Sequence, residues 1–246
     1  MTMRRVHLPP ERIGETQADL TEAARHYLTG VLRLGAGDEV ELFDGLGHAW
    51  TSRILPDLAT LELGPRHGVA PHGSVDLRGA PIHLLFALAK GEKCDLVVQK
   101  ATELGAMRLV PFAAERSVVR LEGEKAADRA ARWERIVAEA ARQCGRLDLP
   151  GVTVPRTHAE AHAAVPAGFH LVVLQGGGPA LGRLGLEGAL GVAAVVGPEG
   201  GLTEAEVEAC RAAGALVGGL GPRTLRAETA AIAAVALLQG LVGDIR

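Results

Sequence analysis

The chain has 246 residues and a formal net charge of −3, with 48% hydrophobic and 22% charged residues. This is the composition of a globular protein with one large domain or two modest ones. No apolar run approaches the roughly 18 residues of a membrane span, and residues 1–10 lack a signal-peptide stretch, so we expect neither a membrane protein nor a secreted one. Three cysteines without a CxxC pair predict reduced thiols in a cytoplasmic protein, and argue against a disulfide framework and structural zinc.

Charge is unevenly distributed along the chain. Residues 1–72 carry 7 Lys and Arg against 10 Asp and Glu, whereas residues 78–146 carry 13 against 9. A local basic surface on a mildly acidic protein fits a selective anionic partner better than general coating of nucleic acid. A solvated helical face explains the same charge equally well.

The N-terminal region alternates short apolar stretches with turns. Residues 19–32 have apolar side chains at helical spacing and predict one helix, while residues 40–43 and 59–63 alternate apolar and polar residues like half-buried antiparallel strands. We therefore predict a small β-rich domain, a barrel, over residues 1–72. Residues 64–80 contain glycine, proline and histidine without periodicity and predict a linker.

From residue 81 the pattern alternates strands with helices. The predicted strands cover residues 82–88, 108–112, 152–154, 171–174, 192–196 and 216–217. The predicted helices cover residues 92–104, 124–143, 158–164, 203–214 and 228–242, the fourth beginning at a capping box. Continuous apolar strands imply a parallel sheet with helices on both faces, in a domain over residues 73–246. The last helix is rich in alanine, so we expect it to be deeply buried or packed against a partner subunit.

Two glycine-rich loops near the C-terminus are the most informative motifs. They are residues 197–201 (GPEGG) and residues 220–229 (LGPRTLRAET), and each follows an apolar strand and leads into a helix. In open α/β sheets ligands lie at the carboxyl ends of strands, where glycine lets the main chain come close. With the loop after Leu174, the pair predicts a pocket that binds through main-chain amides and carbonyls. Two tight βα turns without a ligand are the plainer alternative.

Common cofactor and catalytic motifs are missing. Residues 176–182 (GGGPALG) fit neither GxGxxG nor the Walker pattern, and the chain has no GxSxG or HExxH. The nine histidines are scattered and none pairs with a carboxylate at ligand spacing, so we expect neither a metal site nor a hydrolytic one. Cys94 and Cys210 fall on the predicted buried faces of helices, where a thiol is normally inert.

Longer motifs stand in a fixed order over nearly the whole chain. They are KGEK (90–93), QKATELG (99–105), ERS (115–117), RWERI (132–136), EAARQCGR (139–146), VGPEGGLT (196–203) and LGPRTLRAETA (220–230). Together they resemble the SPOUT-class methyltransferases, and within them the family of 16S ribosomal RNA uracil-N3 methyltransferases. The turn at Leu46 and the loop at residues 176–190 are where the chain departs from this pattern.

The resemblance implies an α/β protein in which an N-terminal PUA-like β-barrel precedes a C-terminal SPOUT α/β domain with a trefoil knot. It also implies S-adenosylmethionine bound in the knot, no metal, and an obligate homodimer. The residues that would hold the cofactor are Leu174, Gln175, Gly176, Gly197, Pro198, Glu199, Gly200, Gly201, Leu220, Gly221, Leu225, Arg226 and Ala227.

The implied reaction is methylation of N3 of one uridine of 16S ribosomal RNA, numbered 1498 in the usual scheme, on the small ribosomal subunit. N3 of uracil is mostly protonated at neutral pH, so the proton must leave before N3 can accept a methyl group. A guanidinium near the uracil carbonyl oxygens would stabilise the resulting anion and lower the barrier to proton loss, and Arg226 is the candidate. Glu228 or a water would take the proton, although a carboxylate at a helix N-terminus needs no catalytic reason. The residues expected to contact RNA are Arg4, Arg5, Lys90, Lys93, Arg116, Arg142, Arg146 and Arg223.

Two other functions remain open at this point. A SPOUT ribose 2′-O-methyltransferase would share the cofactor loops but attack through a hydroxyl. A non-catalytic RNA-binding assembly factor would keep the fold without turnover. A nicotinamide enzyme has the least support, because the dinucleotide-binding fingerprint is absent.

Overall fold

The computed structural model describes residues 4–67 and 79–245. The chain divides into two compact units, Met1–Asp76 with Ala138–Leu149, and Leu77–Val137 with Pro150–Arg246. The domain boundary predicted after residue 72 and most of the predicted linker lie outside the described residues. The first unit also includes a segment from the middle of the chain, which sequence periodicity did not indicate. Among the described helices, none has both the length and the apolar character needed to cross a membrane.

The first unit contains a five-stranded sheet. Its strands are β1 (Arg5–His7), β2 (Gln17–Asp19), β3 (Glu39–Phe43), β4 (Ala49–Ile54) and β5 (Thr60–His67). Their order is β1-β3-β4-β5-β2, with β1 parallel to β3 and the other neighbours antiparallel. Leu42, Ile54 and Leu61 on the sheet are buried together with Leu28 of the adjoining helical segment. These contacts form the core of the unit.

Some elements of the first unit differ from those predicted. β3 and β5 match two predicted strands, but β5 runs on to His67, into the predicted linker. The sequence does not predict β1, which is short, or β4, whose burial lacks strict alternation. The predicted helix begins later than residue 19, because Thr21 caps α1 (Glu22–His26) by accepting a hydrogen bond from Ala24 N at 3.1 Å. It continues as a π-helical turn over Tyr27–Val31.

The second unit contains a parallel sheet. Its strands are β6 (Ile82–Ala87), β7 (Arg108–Ala113), β8 (Gly151–Val152), β9 (Arg156–Thr157), β10 (His170–Leu174), β11 (Val192–Val196) and β12 (Leu216–Gly218). The order is β12-β10-β11-β6-β7-β8, with β9 also on β7, and every named pairing is parallel. β6 and β11 are buried at every position, as predicted from their apolar runs, and the buried positions of β6 include the polar His83. The predicted parallel sheet is therefore confirmed.

Helices cover both faces of this sheet. They are α2 (Lys93–Glu103), α3 (Gly123–Cys144), α4 (His158–Ala163), α5 (Glu204–Ala212) and α6 (Ala227–Val242). On one face, Ala161 of α4 and Val207 of α5 share a core with Phe112. On the other face, Phe86 contacts Trp133 of α3, with ring centroids 6.0 Å apart. α6 contacts α2, β6 and β11.

The predicted capping box at the start of α5 is confirmed. Thr203 Oγ1 accepts a hydrogen bond from Glu206 N at 3.3 Å, and Thr203 N donates to Glu206 Oε2 at 2.9 Å. These reciprocal bonds satisfy main-chain donors that the first turn of a helix leaves free. The cap therefore sets the start of α5 immediately after the glycine loop at residues 197–201.

Candidate functional site

Three loops meet at the carboxyl edge of the parallel sheet. β10 pairs with both β11 and β12, so the segments that follow these three strands leave the sheet on the same side. Gln175 N donates to Gly218 O at 2.9 Å, and Gly219 N donates to Pro179 O at 2.7 Å. These bonds tie the loop after β10 to the loop after β12.

A cavity of about 420 Å³ lies among these loops, a volume typical of small-molecule sites. Most of the residues predicted to hold the cofactor line it. They are Leu174, Gln175, Gly176, Gly197, Pro198, Glu199, Gly200, Gly201, Leu220, Gly221, Leu225 and Ala227. Arg226 is exposed and is not among the described residues of the lining.

Further lining residues escaped the sequence analysis. Gly177, Val196, Leu202 and Ala230 also face the cavity, while Pro222 and Thr224 lie within the predicted loop over residues 220–229. Gly177, Val196 and Leu202 adjoin predicted loop residues, so continuity along the chain was the available signal for them, whereas Ala230 lies in α6. The wall of the cavity is thus built almost wholly from three consecutive stretches of chain.

Local geometry explains the glycines of the second loop (residues 197–201, after β11) and of the third loop (residues 220–229, after β12). Gly201 has φ +70° and Gly221 has φ +99°, a left-handed conformation that favours glycine. At Gly197 the reason is space, because a Cβ would lie 2.9 Å from Leu202 N. A side chain at these positions would strain the turns that present main-chain groups to the cavity.

An ion pair stands at the second loop. Lys93, at the start of α2, pairs with Glu199. Their hydrogen bond raises the pKa of Lys93 and lowers the pKa of Glu199, because each charge stabilises the other. The charges of Glu228 and Arg226 also act on Lys93. The two residues predicted to be catalytic therefore lie close to this pair.

Glu228 has an unusual environment. It lies in the first turn of α6, two residues after Arg226, which is the N-cap residue in an extended conformation. Glu228 Oε2 is buried and has no hydrogen-bond partner among the described residues. Glu228 also lines a second cavity of about 10 Å³, which shares Val196, Gly197 and Ala227 with the larger one. A carboxylate oxygen with a free lone pair thus stands beside the candidate cofactor site.

Several of the cations predicted to contact RNA are exposed. Lys90, Arg116 and Arg223 are exposed in the second unit, and Arg4 is exposed in the first. Arg116 Nη1 donates to Gly200 O at 2.8 Å, and Arg223 lines the large cavity. The cavity is therefore flanked by positive charge.

Three other arginines predicted to contact RNA are engaged inside the first unit. Arg5 pairs with Glu41 and donates to the main-chain carbonyls of Arg142 at 3.5 Å and Arg146 at 3.1 Å. The Arg142 guanidinium stacks on Tyr27, 3.6 Å from the ring centroid. Arg146 forms an ion pair with the carboxylate of Asp148 at 2.6 Å. The contacts of Arg5 and Arg142 hold residues 138–149 in this unit, whereas the ion pair of Arg146 lies within that segment.

One histidine pairs with a carboxylate in a turn, although the sequence suggested no such pair at the spacing of metal ligands. His48 Nδ1 lies 2.6 Å from Asp44 Oδ2, and Asp44 Oδ1 accepts hydrogen bonds from Leu46 N and His48 N. This arrangement closes the turn between β3 and β4. The contact escaped prediction because the turn, rather than helical spacing, brings the two side chains together.

Both cysteines predicted to be buried are buried. Burial raises the pKa of the Cys94 thiol, and raises that of Cys210 to about 12. A thiol with a raised pKa is protonated at neutral pH and is a poor nucleophile. The prediction that these thiols are unreactive as nucleophiles is consistent with that environment.

Comparison with known proteins gives matches over both units. The family model described as an RNA methyltransferase domain matches residues 77–239, and the model described as an RNA methyltransferase PUA domain matches residues 20–57. Ribosomal RNA small subunit methyltransferase E of Synechocystis sp. is 35% identical over 243 residues, which cover 97% of this chain and 78% of that protein. The Bacillus subtilis protein of the same name is 30% identical over 244 residues, covering 95% and 94%.

A solved structure matches over the full length. The crystal structure of a ribosomal RNA small subunit methyltransferase E from Neisseria gonorrhoeae, bound to S-adenosyl methionine, has a TM-score of 0.87 to this chain. The two are 32% identical in sequence, and the match covers 100% of both chains.

Proposed function

Because the chain belongs to the RNA methyltransferase family, we propose that it transfers a methyl group from S-adenosylmethionine to N3 of uracil 1498 in 16S ribosomal RNA. The observation that carries the proposal is the cavity of about 420 Å³ where the loops after β10, β11 and β12 meet. The substrate is the RNA of the small ribosomal subunit, in keeping with the names of the relatives.

The lining of the cavity fits S-adenosylmethionine. The glycine loops offer main-chain amides and carbonyls that can read the edge of an adenine, while Leu174, Leu220 and Leu225 supply apolar surface for the ring. Glu199 and Arg223 offer one charge of each sign to the amino-acid end of the cofactor. When bound, S-adenosylmethionine supplies an electrophilic methyl group on a sulfonium.

Arg226 stabilises charge on the substrate. It is exposed at the N-terminus of α6 and does not line the cofactor cavity, so its guanidinium is free to meet a base presented from outside. A guanidinium beside a uracil carbonyl oxygen favours loss of the N3 proton, because it stabilises the negative charge that the oxygen acquires.

Glu228 accepts the proton from N3. Its Oε2 is buried and, within the described part of the chain, lacks a hydrogen-bond donor, so a lone pair is available. General bases act within hydrogen-bonding distance of the proton they remove. Glu228 lies two residues after Arg226, whose N-cap backbone is extended, and the charges of both act on Lys93, so both side chains stand near one site.

The exposed cations hold the RNA. Arg116 and Lys90 flank the second loop, and Arg223 belongs to the third. Because N3 is hidden in a paired base, the target uridine must be unstacked or flipped out of a helix. Positioning it in line with the methyl donor removes much of the entropic barrier to transfer.

The proposal includes a trefoil knot in the second unit and a PUA-like barrel in the first. β12 lies beside β10, and α6, which follows β12, contacts β6 and β11. The connection from β10 to β11 approaches both, since a Cβ on Gly218 would lie 2.8 Å from Leu181 Cδ2, and one on Gly182 would lie 3.5 Å from Leu241 Cδ2. The chain is knotted if the segment that contains β12 and the start of α6 passes beneath the connection from β10 to β11. Knots of this kind are rare in proteins. The match to a PUA domain supports the barrel.

The proposal also includes a homodimer formed through α6. Leu237 and Leu241 lie one helical turn apart and expose 48% and 43% of their surface, and Ile245 exposes 42%. Clustered exposed apolar side chains mark protein–protein contacts. An interface on α6 would bury these side chains beside the cofactor loops.

Product analysis tests the proposed reaction. Small ribosomal subunits and free 16S RNA, both lacking the modification, are incubated with the chain and S-adenosylmethionine, and the RNA is digested to nucleosides for mass spectrometry. We expect 3-methyluridine. Recovery of 2′-O-methyluridine would establish the ribose methyltransferase instead, and cofactor binding without product would indicate an assembly factor.

A further inference from the structure

A second cluster of reactive side chains lies on the face of the parallel sheet that α4 and α5 cover. His158 and His162 lie one turn apart on α4, and Cys210 lies on α5. Cys210 Sγ is 3.2 Å from His162 Nε2 and 3.7 Å from His158 Nε2. The three ligand atoms lie within 4.8 Å of one another. None of the three residues lines the described cofactor cavity.

The sulfur–nitrogen distances match those of a tetrahedral metal site. Zinc binds thiolate sulfur at about 2.3 Å and imidazole nitrogen at about 2.0–2.1 Å, so sulfur and nitrogen ligands of one ion lie roughly 3.6 Å apart. The two sulfur–nitrogen distances in the cluster fall on either side of that value. Binding one ion would also require the two imidazole nitrogens, which lie within 4.8 Å of each other, to stand roughly 3.3 Å apart.

Hydrogen bonds alone would leave one of the two imidazoles without a bond to Cys210. A thiol has one hydrogen, so Cys210 can donate to only one of the two imidazoles. Burial lowers the pKa of both histidines, that of His162 to about 4, so both rings are neutral and carry a lone pair. A cation between the three atoms would engage every one of these lone pairs.

A compensating charge lies nearby. The carboxylate of Glu206 acts electrostatically on His158, His162 and Cys210. Its oxygens accept hydrogen bonds from Glu115 N at 2.8 Å and from the N-cap of α5, so it serves as a fixed outer charge. Two neutral imidazoles and one thiolate leave a zinc ion with a net positive charge, which a neighbouring carboxylate stabilises.

We propose that His158, His162 and Cys210 form a zinc site that clamps α4 to α5. On binding, the S–H bond of Cys210 breaks, its proton leaves to solvent, and a zinc–sulfur bond forms. The two imidazoles are half-buried and Cys210 is buried, so the ion enters from the histidine side and water takes its fourth position. The site departs from the absence of metal expected from the sequence, because 48 positions separate Cys210 from His162.

Cobalt substitution tests the site in the full chain. The protein is stripped with chelator, kept reduced, and titrated with Co²⁺, which gives a near-ultraviolet thiolate charge-transfer band and intense visible bands in a tetrahedral thiolate site. We expect one cobalt per chain and its displacement by Zn²⁺. We also expect Zn²⁺ to raise the unfolding temperature of the stripped protein, because a ligand of the folded state stabilises it by mass action.

Variants distinguish cobalt binding at Cys210 from cobalt binding at the other cysteines. Cys210→Ala should abolish the charge-transfer band, and His162→Gln should keep the thiol but weaken cobalt binding by more than about a hundredfold. The exposed Cys144 offers a matched control, and Cys144→Ala should leave the spectrum unchanged. Circular dichroism and S-adenosylmethionine binding check that each variant is folded. No band in the unaltered protein, or a band that survives in a folded Cys210→Ala variant, would overturn the proposal.

Discussion

Lys93 and Glu199 form an ion pair that joins the first turn of α2 to the loop after β11. Their side chains are 36% and 43% exposed, so solvent screens the pair and it adds little to stability. For Lys93→Met we expect a small change in the free energy of unfolding and a several-fold rise in the Kd for S-adenosylmethionine, because the loop loses an anchor. Calorimetry and denaturant unfolding measure the two. Lys125→Met, which removes an exposed lysine of α3, is the control and should change neither.

Gly197→Ala should impair cofactor binding. The added Cβ would lie 2.9 Å from Leu202 N, so the main chain of the second loop must shift, at a cost of about 1–3 kcal/mol. Gly151→Ala is the matched control, because a Cβ there meets nothing within 4 Å. We expect calorimetry with S-adenosylmethionine to show weak binding only for the first variant. Equal affinities for the two variants would disprove the close fit of this loop.

Arg226→Ala should reduce turnover by about 10²–10³ and leave the Kd for S-adenosylmethionine unchanged. The reason is that Arg226 is exposed at the N-terminus of α6 and does not belong to the described cavity lining. Single-turnover methylation and calorimetry give the two quantities. Arg183→Ala removes another exposed arginine outside the lining and should retain full activity. Full turnover in the Arg226 variant, with normal cofactor affinity, would contradict the assigned role.

Glu228→Gln should reduce the methylation rate by about 10²–10⁴, because it removes the proton acceptor at the start of α6. The rate of the variant should rise more steeply with pH than that of the unaltered protein, since the uracil then loses its proton to the solvent. Glu204→Gln provides the control, as Glu204 occupies the first turn of α5 and is exposed. A Glu228 variant with an unchanged pH–rate profile would show that another group accepts the proton.

Acid should destabilise the second unit through His83. Burial, together with the charge of Arg108, lowers the pKa of His83 to about 4 from its usual 6.5. Between these values the unfolded chain binds more protons, so this contribution to stability is complete above pH 6.5 and is lost as the pH falls towards 4. His83→Phe should lose less stability between pH 7 and pH 5 in urea unfolding. Phenylalanine can keep the ring contact with Phe169, now 4.8 Å between centroids. If the unaltered protein and the His83→Phe variant lost equal stability between pH 7 and pH 5, this explanation would be wrong.

Local sequence signals predicted most of the second unit. Strands such as β11 are continuous apolar runs bounded by turn residues, and α5 begins at a capping box. Signals of this kind act over a few residues, so they can be recognised without knowing the fold. In the first unit β4 escaped prediction, because its burial depends on its neighbours β3 and β5 rather than on strict alternation.

The cofactor loops were predictable for the same reason. Gly201 and Gly221 have left-handed backbones, and their loops follow strands that lie next to β10. Chain order alone could not reveal that Glu228 has an unpaired buried oxygen. That property depends on which donors the packed helices bring near it.

The amino-acid order by itself determined the parallel sheet, the position of the glycine loops and the helix that follows each of them, because periodicity and turn chemistry are local. Only the tertiary structure decided which charged side chains remain exposed and which are held by contacts within the fold. Arg5 and Arg142 are held by contacts within the first unit, while Arg116 remains exposed beside Gly200. Such pairings depend on distances between residues far apart in the chain, which folding alone establishes.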